Sequence, residues 1–248
     1  YDHGIQKDYK CKGTGGNRMK KNSKFSGFYL GLIFFLMYLP VAVVVIFSFN
    51  ESKLPVAFTG FSLKWYEELF RDSAMMEALG NSLILGVLSC LCAAVIGTLG
   101  AVGLFKINWK TKGALEYVSI LPLMIPEIIL GIVLMAFFYM LGLPFGMLTL
   151  LIGHTVFCVP YILMEVKARL VGMDPSLEEA ARDLGAGPFR AFWDITLPLV
   201  MPAVVSGSLL AFAMSMDDVV ISIFVNGPRI STLPIKVYTQ MKTGVTPE

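Results

Sequence analysis

Acidic side chains stand inside long apolar stretches of this 248-residue chain. Asp217 and Asp218 lie in the stretch 199–225, and Glu127 lies in the stretch 115–141. Ionisable residues at membrane depth line a polar pathway or are paired internally, and neither stretch contains a Lys or Arg. Capping of a broken helix is the structural alternative. Because adjacent residues on a helix point about 100° apart, we expect one of the two aspartates to face a pathway for a cation.

Catalytic and metal-binding motifs are absent from the sequence. It contains no HExxH and no GxSxG, and its four cysteines form no CxxC pair with a histidine nearby. We therefore predict no catalytic residue and no metal site. His154 is the one histidine inside an apolar stretch, and we expect it to form a hydrogen bond between helices rather than to relay protons.

The composition predicts an all-α integral membrane protein. Hydrophobic residues make up 56% of the chain, charged residues 15%, and the mean hydropathy is +0.70. The net charge of +2 implies no nucleic-acid partner. A helix needs about 20 apolar residues to cross a bilayer. Five stretches are long enough, at residues 27–49, 82–105, 115–141, 143–166 and 199–225.

The distribution of basic residues predicts the orientation. With the N-terminus in the cytoplasm, the cytoplasmic segments hold 14 of the 20 Lys and Arg residues, as the positive-inside rule requires. Five spans then place the C-terminus outside, and we interpret the sequence as missing a sixth helix. Residues 1–18 differ sharply in composition from the rest and are interpreted as a non-native or disordered tail. One transmembrane domain is expected over residues 19–248.

The polar stretch between the last two spans predicts two short helices joined by a sharp turn. Asp174 is placed to cap the first helix, and Gly185 permits the left-handed turn that ends it. Gly187 and Pro188 are expected to begin the second helix. The first helix is acidic, with small residues on its apolar stripe, which favours a protein groove over lipid headgroups. The expected stripe is Leu177, Ala180, Ala181 and Leu184, and Phe189, Phe192 and Trp193 are expected on the inner face of the second helix.

The segment "EAARDLGAGPFRAFWDITLP", residues 179–198, resembles the EAA loop of ABC importer permease subunits. The resemblance implies the type I ABC importer permease fold and a cytoplasmic coupling loop over residues 167–198. It also implies that the loop docks on a pair of ATP-binding cassette subunits. ATP would be bound there, so this chain itself needs no cofactor. The residues that match the family pattern are Glu179, Ala180, Ala181, Gly185, Ile195, Leu197 and Pro198.

Other segments resemble spermidine/putrescine permease subunits of the PotC type. They are "SMDDVVISIFVNGP" (residues 215–228), "HTVFCVPYI" (residues 154–162) and "KWYEELF" (residues 64–70). This resemblance implies a polyamine cargo, a second homologous permease subunit and an extracytoplasmic substrate-binding protein. It also implies a location in the cell's inner membrane. Because a polyamine carries several positive charges, Asp217, Asp218 and Glu127 are the candidate residues of the substrate pathway.

Three other functions are alternatives to this one. The first is an importer of the same kind that carries iron, thiamine or an anion, and the acidic residues favour a cation. The second is a stand-alone secondary transporter or channel, which has no need of a docking loop. The third is a membrane-embedded enzyme, for which the sequence contains no catalytic motif.

Overall fold

The computed structural model describes residues 23–52, 57–107, 109–174 and 176–243. The proposed tail, residues 1–18, lies outside these ranges, and the expected sixth helix stays a prediction. Within the described residues the structure is helical, with one isolated bridge between Asn50 and Phe61. The helices are α1 (Ser23–Phe47), α2 (Lys64–Arg71), α3 (Ser73–Lys106), α4 (Lys112–Met124), α5 (Glu127–Met140), α6 (Met147–Val171), α7 (Ser176–Asp183), α8 (Pro188–Ala191), α9 (Leu197–Asp217), α10 (Val220–Val225) and α11 (Leu233–Thr243).

The first of two compact units ends at Glu68. Its α1 is strongly apolar, with a mean hydropathy of 2.8 over an 18-residue window within residues 27–47, and its side chains in that range are mostly exposed. Beyond α1 the chain folds back on itself, because the Trp65 indole donates a hydrogen bond to the Asn50 carbonyl (2.9 Å). The Ser48 and Tyr66 hydroxyls lie 2.7 Å apart.

The second unit is built around α3, α6 and α9, whose buried side chains form one apolar core. Helix α3 starts at Ser73, nine residues before the predicted span, because Asp72 caps it by accepting from the Ala74 and Met75 amides (2.9 and 3.0 Å). Its 34 residues exceed the length needed to cross a bilayer.

Two glycines let α3 and α9 both pack closely against one residue of α6. A Cβ added at Gly97 would lie 3.1 Å from the Ile162 Cβ and 3.1 Å from the Val159 carbonyl oxygen. A Cβ added at Gly207 would lie 3.0 Å from the Ile162 Cα. Backbone approach of this kind is typical of membrane helices with small residues at their interfaces. Ala101, one turn further along α3, is also fully buried.

The predicted third span is bent rather than straight. The stretch 115–141 forms α4 and α5, which meet at 106° around Ile125 and Pro126. A proline has no amide proton and disfavours helical backbone in the residue before it, so the helix breaks here. Among the residues that the structure describes, four helices are long and apolar enough to cross a membrane, and counting the bent pair as one span gives five.

The predicted fifth span is also interrupted. Helix α9 ends at Asp217, and the backbone leaves the helical path at Asp218 before α10 begins at Val220. Helix α10 packs against α5, where a Cβ added at Gly131 would lie 2.5 Å from the Phe224 ring.

Helix α11 was not anticipated from the sequence. It is tied to α3 at its start, since the Leu233 amide donates to the Ser82 hydroxyl (2.8 Å). The Asn81 side-chain amide donates to the Ser231 carbonyl just before it (3.1 Å).

Candidate functional site

The loop between α6 and α9 has the predicted helix–turn–helix form. The Asp174 carboxylate accepts a hydrogen bond from the Ser176 amide (3.0 Å), which holds the pKa of Asp174 below its ordinary value. Gly185 has φ +88°, in the left-handed region, and the Ala186 amide bonds back to the Ala181 carbonyl (3.0 Å). Helix α8 begins at Pro188 with Gly187 at its cap. The predicted cap, turn and second start are therefore confirmed.

The loop exposes large apolar side chains. The exposed fraction reaches 90% for Leu184 and 77% for Phe189. The rings of Phe189 and Trp193 stack with their centroids 6.2 Å apart. The expectation that Phe189 and Trp193 face inward was wrong. Of the three aromatic residues only Phe192 packs against the core, because residues 189 and 193 are one helical turn apart and residue 192 points to another side. The loop's apolar face consists of Leu177, Leu184, Phe189 and Trp193.

The seven residues of the family pattern occupy one continuous piece of the loop. Glu179 and Ala180 are exposed on α7, and Ala181 is half-buried. Ile195 is half-buried within a π-helical turn, Phe192–Thr196, that leads directly into α9. Single π-turns of this kind are frequent at functional sites. Leu197, half-buried, and Pro198, exposed, form the first residues of α9.

Glu178 is a polar residue of this loop for which the sequence indicated no definite partner. Its Oε1 accepts from Lys106 Nζ of α3 at 2.6 Å and from Arg182 at 2.8 Å. Its Oε2 accepts from the Thr196 hydroxyl in the π-turn at 3.4 Å. Partial burial of Glu178 opposes its ionisation, but the hydrogen bond from Lys106 and the charges of Lys106 and Arg182 outweigh that effect and keep its pKa below the ordinary value.

A second polar site lies inside the helix core, at the break between α9 and α10. The His154 ring places Nδ1 2.7 Å from the Ser215 hydroxyl and Nε2 2.9 Å from the Ser222 hydroxyl. The Ser222 hydroxyl donates to Asp218 Oδ2 (2.8 Å), so Nε2 donates to the serine oxygen. We call His154, Ser215, Asp218 and Ser222 the polar clamp. It confirms the prediction that His154 joins helices.

The two adjacent aspartates have different surroundings. The Asp218 side chain is 2% exposed and caps α10, accepting from the amides of Ile221 (3.1 Å) and Ser222 (2.9 Å). Asp217 is exposed at the end of α9. Glu127 is exposed as the first residue of α5, directly after the bend. The sequence predicted that one of the two aspartates faces a pathway. In the structure Asp217 is the exposed one, and Asp218 caps a helix.

No group of three or more His, Cys, Asp or Glu side chains is arranged to hold a metal ion in the part of the chain that the structure describes. The cysteines Cys90 and Cys158 lie buried between helices, with their sulfurs 3.6 and 3.5 Å from the carbonyl oxygens of Ser208 and Ala211. Their packing is that of small apolar side chains.

The chain is similar in sequence to known transport proteins. The family described as "Binding-protein-dependent transport system inner membrane component" matches residues 93–246. The putrescine transport system permease protein PotI of Escherichia coli K12 is 42% identical over 222 residues, 87% of this chain and 79% of that protein. The spermidine/putrescine permease protein PotC of the same strain is 39% identical over 90% of this chain and 84% of that protein. A PotC homolog of Mycoplasma genitalium is 31% identical over the same shares.

Solved structures resemble the fold. The inward-facing MetNI methionine ABC transporter matches with a TM-score of 0.58 and 21% identity, over 69% of this chain and 82% of the matched chain. An amino acid ABC transporter crystallised with histidines matches with a TM-score of 0.53 and 15% identity, over 72% and 83%. The fold is that of type I ABC importer permeases, as predicted.

Proposed function

Because the chain belongs to the family of binding-protein-dependent transport system inner membrane components, we propose that it forms half of the translocation pathway of an ATP-driven polyamine importer. It is a non-catalytic permease subunit of an ABC importer. The relatives named above are permeases for putrescine and for spermidine with putrescine, which supports a polyamine as the cargo here.

The observation that carries the proposal is the coupling loop with its exposed apolar face. Leu184, Phe189 and Trp193 are large, exposed and close together in sequence. Apolar surface of this kind on a soluble part of a protein is typical of a binding site for another protein. We assign this face, with Glu179, Ala180 and Ala181 beside it, to contact with an ATP-binding cassette subunit. Gly185 sets the angle between the two helices that make the contact.

ATP would then act on this chain only through its partner. The ATP-binding subunits close on ATP, push or pull the coupling loop, and displace α9 through the π-turn that joins Ile195 to Leu197. We expect the N-terminus to lie in the cytoplasm, as the basic residues predict, so that the loop faces the ATPase. A second homologous permease subunit forms the other half of the pathway, and an extracytoplasmic binding protein delivers the cargo.

The carboxylates give the pathway its charge preference. Asp217 and Glu127 are exposed where helices α9 and α5 are interrupted. A polyamine carries several positive charges, so exposed carboxylates along its route lower the cost of its passage. We assign direct contact with the cargo to Asp217 and Glu127. Asp218 supports the same site from behind, by holding the break that ends α9 at Asp217.

The experiment that tests the proposal measures ATP hydrolysis and uptake in liposomes. The complete importer, with its partner subunits and binding protein, is supplied in turn with spermidine, putrescine, ferric iron and thiamine. We expect hydrolysis and uptake to be stimulated by a polyamine and by neither iron nor thiamine. Stimulation by iron or thiamine alone would keep the coupling loop and overturn the polyamine assignment. An assembled complex that no ligand stimulates would contradict the proposal as a whole.

A further inference from the structure

The Glu178 carboxylate connects three separate elements of the chain. It belongs to α7, it accepts from Lys106 at the end of α3, and it accepts from Thr196 in the π-turn before α9. Lys106 and Glu178 are 72 positions apart in sequence. The family pattern matched in this loop begins one residue later, at Glu179, so neither Glu178 nor Lys106 belongs to it.

The contact differs from an ordinary surface ion pair. The Glu178 side chain is 15% exposed and the Lys106 side chain 36%, whereas both partners of the pair Lys64–Glu68 on α2 are more than half exposed, at 63% and 52%. Exposed pairs contribute little because water competes for both charges. A shielded, charge-assisted bond at 2.6 Å is stronger and holds its partners in a fixed geometry.

The adjacent glutamates of α7 face different surroundings. Glu179 is exposed, while Glu178 is turned about 100° away and bonded to the body of the chain. One residue is therefore available to a partner protein, and the other is bound within the subunit. The helix α3 that Lys106 ends is itself seated on α6 at Gly97. A displacement of α7 would therefore be transmitted to α3 through Lys106 and from α3 to α6 at Gly97.

We propose that Glu178 and Lys106 form a joint through which movement of the coupling loop displaces α3 as well as α9. Glu178 is a positioning residue, since it touches neither ATP nor cargo. This inference rests on the proposed function, because it requires α7 to receive the movement of the ATPase. Without the joint, movement of the loop would be transmitted only to α9, through the π-turn. Part of the movement of the ATPase would then displace the loop without displacing α3.

The test uses the complete importer with its binding protein and polyamine in liposomes. Glu178→Gln and Lys106→Gln each remove the ion pair with little change in size. We expect each variant complex to contain the normal amount of ATPase subunit and to hydrolyse ATP at the normal rate. The amount of polyamine taken up per ATP should fall about tenfold, which corresponds to the loss of one charge-assisted hydrogen bond. The double variant should lose no more than Glu178→Gln alone, because that substitution already removes the charged partner of Lys106. Lys106→Arg keeps the charge and should retain most of the uptake.

A matched control is Lys64→Gln, which breaks the exposed pair on α2 and should leave uptake per ATP unchanged. Glu178→Gln with the uptake per ATP of the original protein would overturn the joint, and so would strictly additive losses in the double variant. These outcomes are distinct from failure of the proposed function. In that case the unaltered complex itself would hydrolyse ATP without importing a polyamine.

Discussion

His154 and Asp218 lie side by side in the helix core, with Nε2 3.4 Å from Oδ2 and side chains only 1% and 2% exposed. His154 comes from α6, and Asp218 sits where α9 gives way to α10. The same imidazole bridges serines on both sides of that break. The break is therefore held by side chains of a neighbouring helix and does not depend on the backbone of residues 218–219 alone.

The first prediction concerns His154. His154→Phe keeps a ring of similar size but removes the hydrogen-bonding partner that Ser215 and Ser222 share. Buried polar groups that lose a partner cost about 1–3 kcal/mol each, so the complex should unfold about 2 kcal/mol more easily. Thermal unfolding in detergent measures this. Ser215→Ala removes a single bond and should have a smaller effect. Unchanged thermal stability of His154→Phe would show that the polar clamp does not stabilise the fold.

The second prediction separates the two aspartates. Asp217→Asn removes an exposed charge and should lower polyamine uptake about tenfold, as expected for loss of one contact with a cation, without changing thermal stability. Asp218→Ala removes a buried cap and should lower stability by about 1–2 kcal/mol. Uptake and unfolding are measured on the same preparations. Equal effects of both substitutions on both quantities would contradict the assignment of one to the pathway and the other to the fold.

The third prediction concerns Gly185, whose φ of +88° other residues adopt at a cost of about 1 kcal/mol or more. Gly185→Pro fixes φ near −65° and should abolish uptake while the subunit still inserts in the membrane. Gly103→Ala is the control, since a Cβ there would meet no atom within 4 Å. Ordinary uptake by Gly185→Pro would mean that the angle of the turn is irrelevant to coupling.

The fourth prediction is a pH dependence. The pKa of Glu178 is lowered in the folded protein from the ordinary value of 4.5. Its contribution to stability is therefore present above that value and is lost as the pH falls through the lowered pKa. The difference in melting temperature between the original complex and Glu178→Gln should stay constant from about pH 8 to about pH 5 and shrink at more acidic pH. A difference that already disappears near neutral pH would contradict the shielded ion pair.

Much of the coupling loop could be predicted because its structure is set locally. Asp174, Gly185 and Pro188 each act on their nearest neighbours in sequence, by capping, by permitting a positive φ, or by starting a helix. The same local view failed for Phe189 and Trp193. A helix of four residues has no strong periodicity, and only the tertiary structure decides which side is covered.

The features that escaped prediction depend on contacts between distant residues. Asp218 looked like Asp217 in the sequence, and the difference comes from His154, on a helix 64 positions earlier. Glu178 gained its partner from Lys106, which follows an entirely different span. The bend in the third span was signalled by Pro126, but its angle of 106° depends on how α5 packs against α10. Patterns along one chain carry no record of such pairings.

The loop's apolar face has a consequence for how the subunit is produced in a cell. Leu184 and Phe189 are 90% and 77% exposed, so a copy synthesised without its partner presents an apolar, aggregation-prone surface. Chaperones and proteases act on such surfaces, so unassembled copies are cleared. We therefore expect the quantity of this subunit to follow the supply of the protein that covers the loop, and overproduction of this chain alone to yield aggregates in place of stable protein.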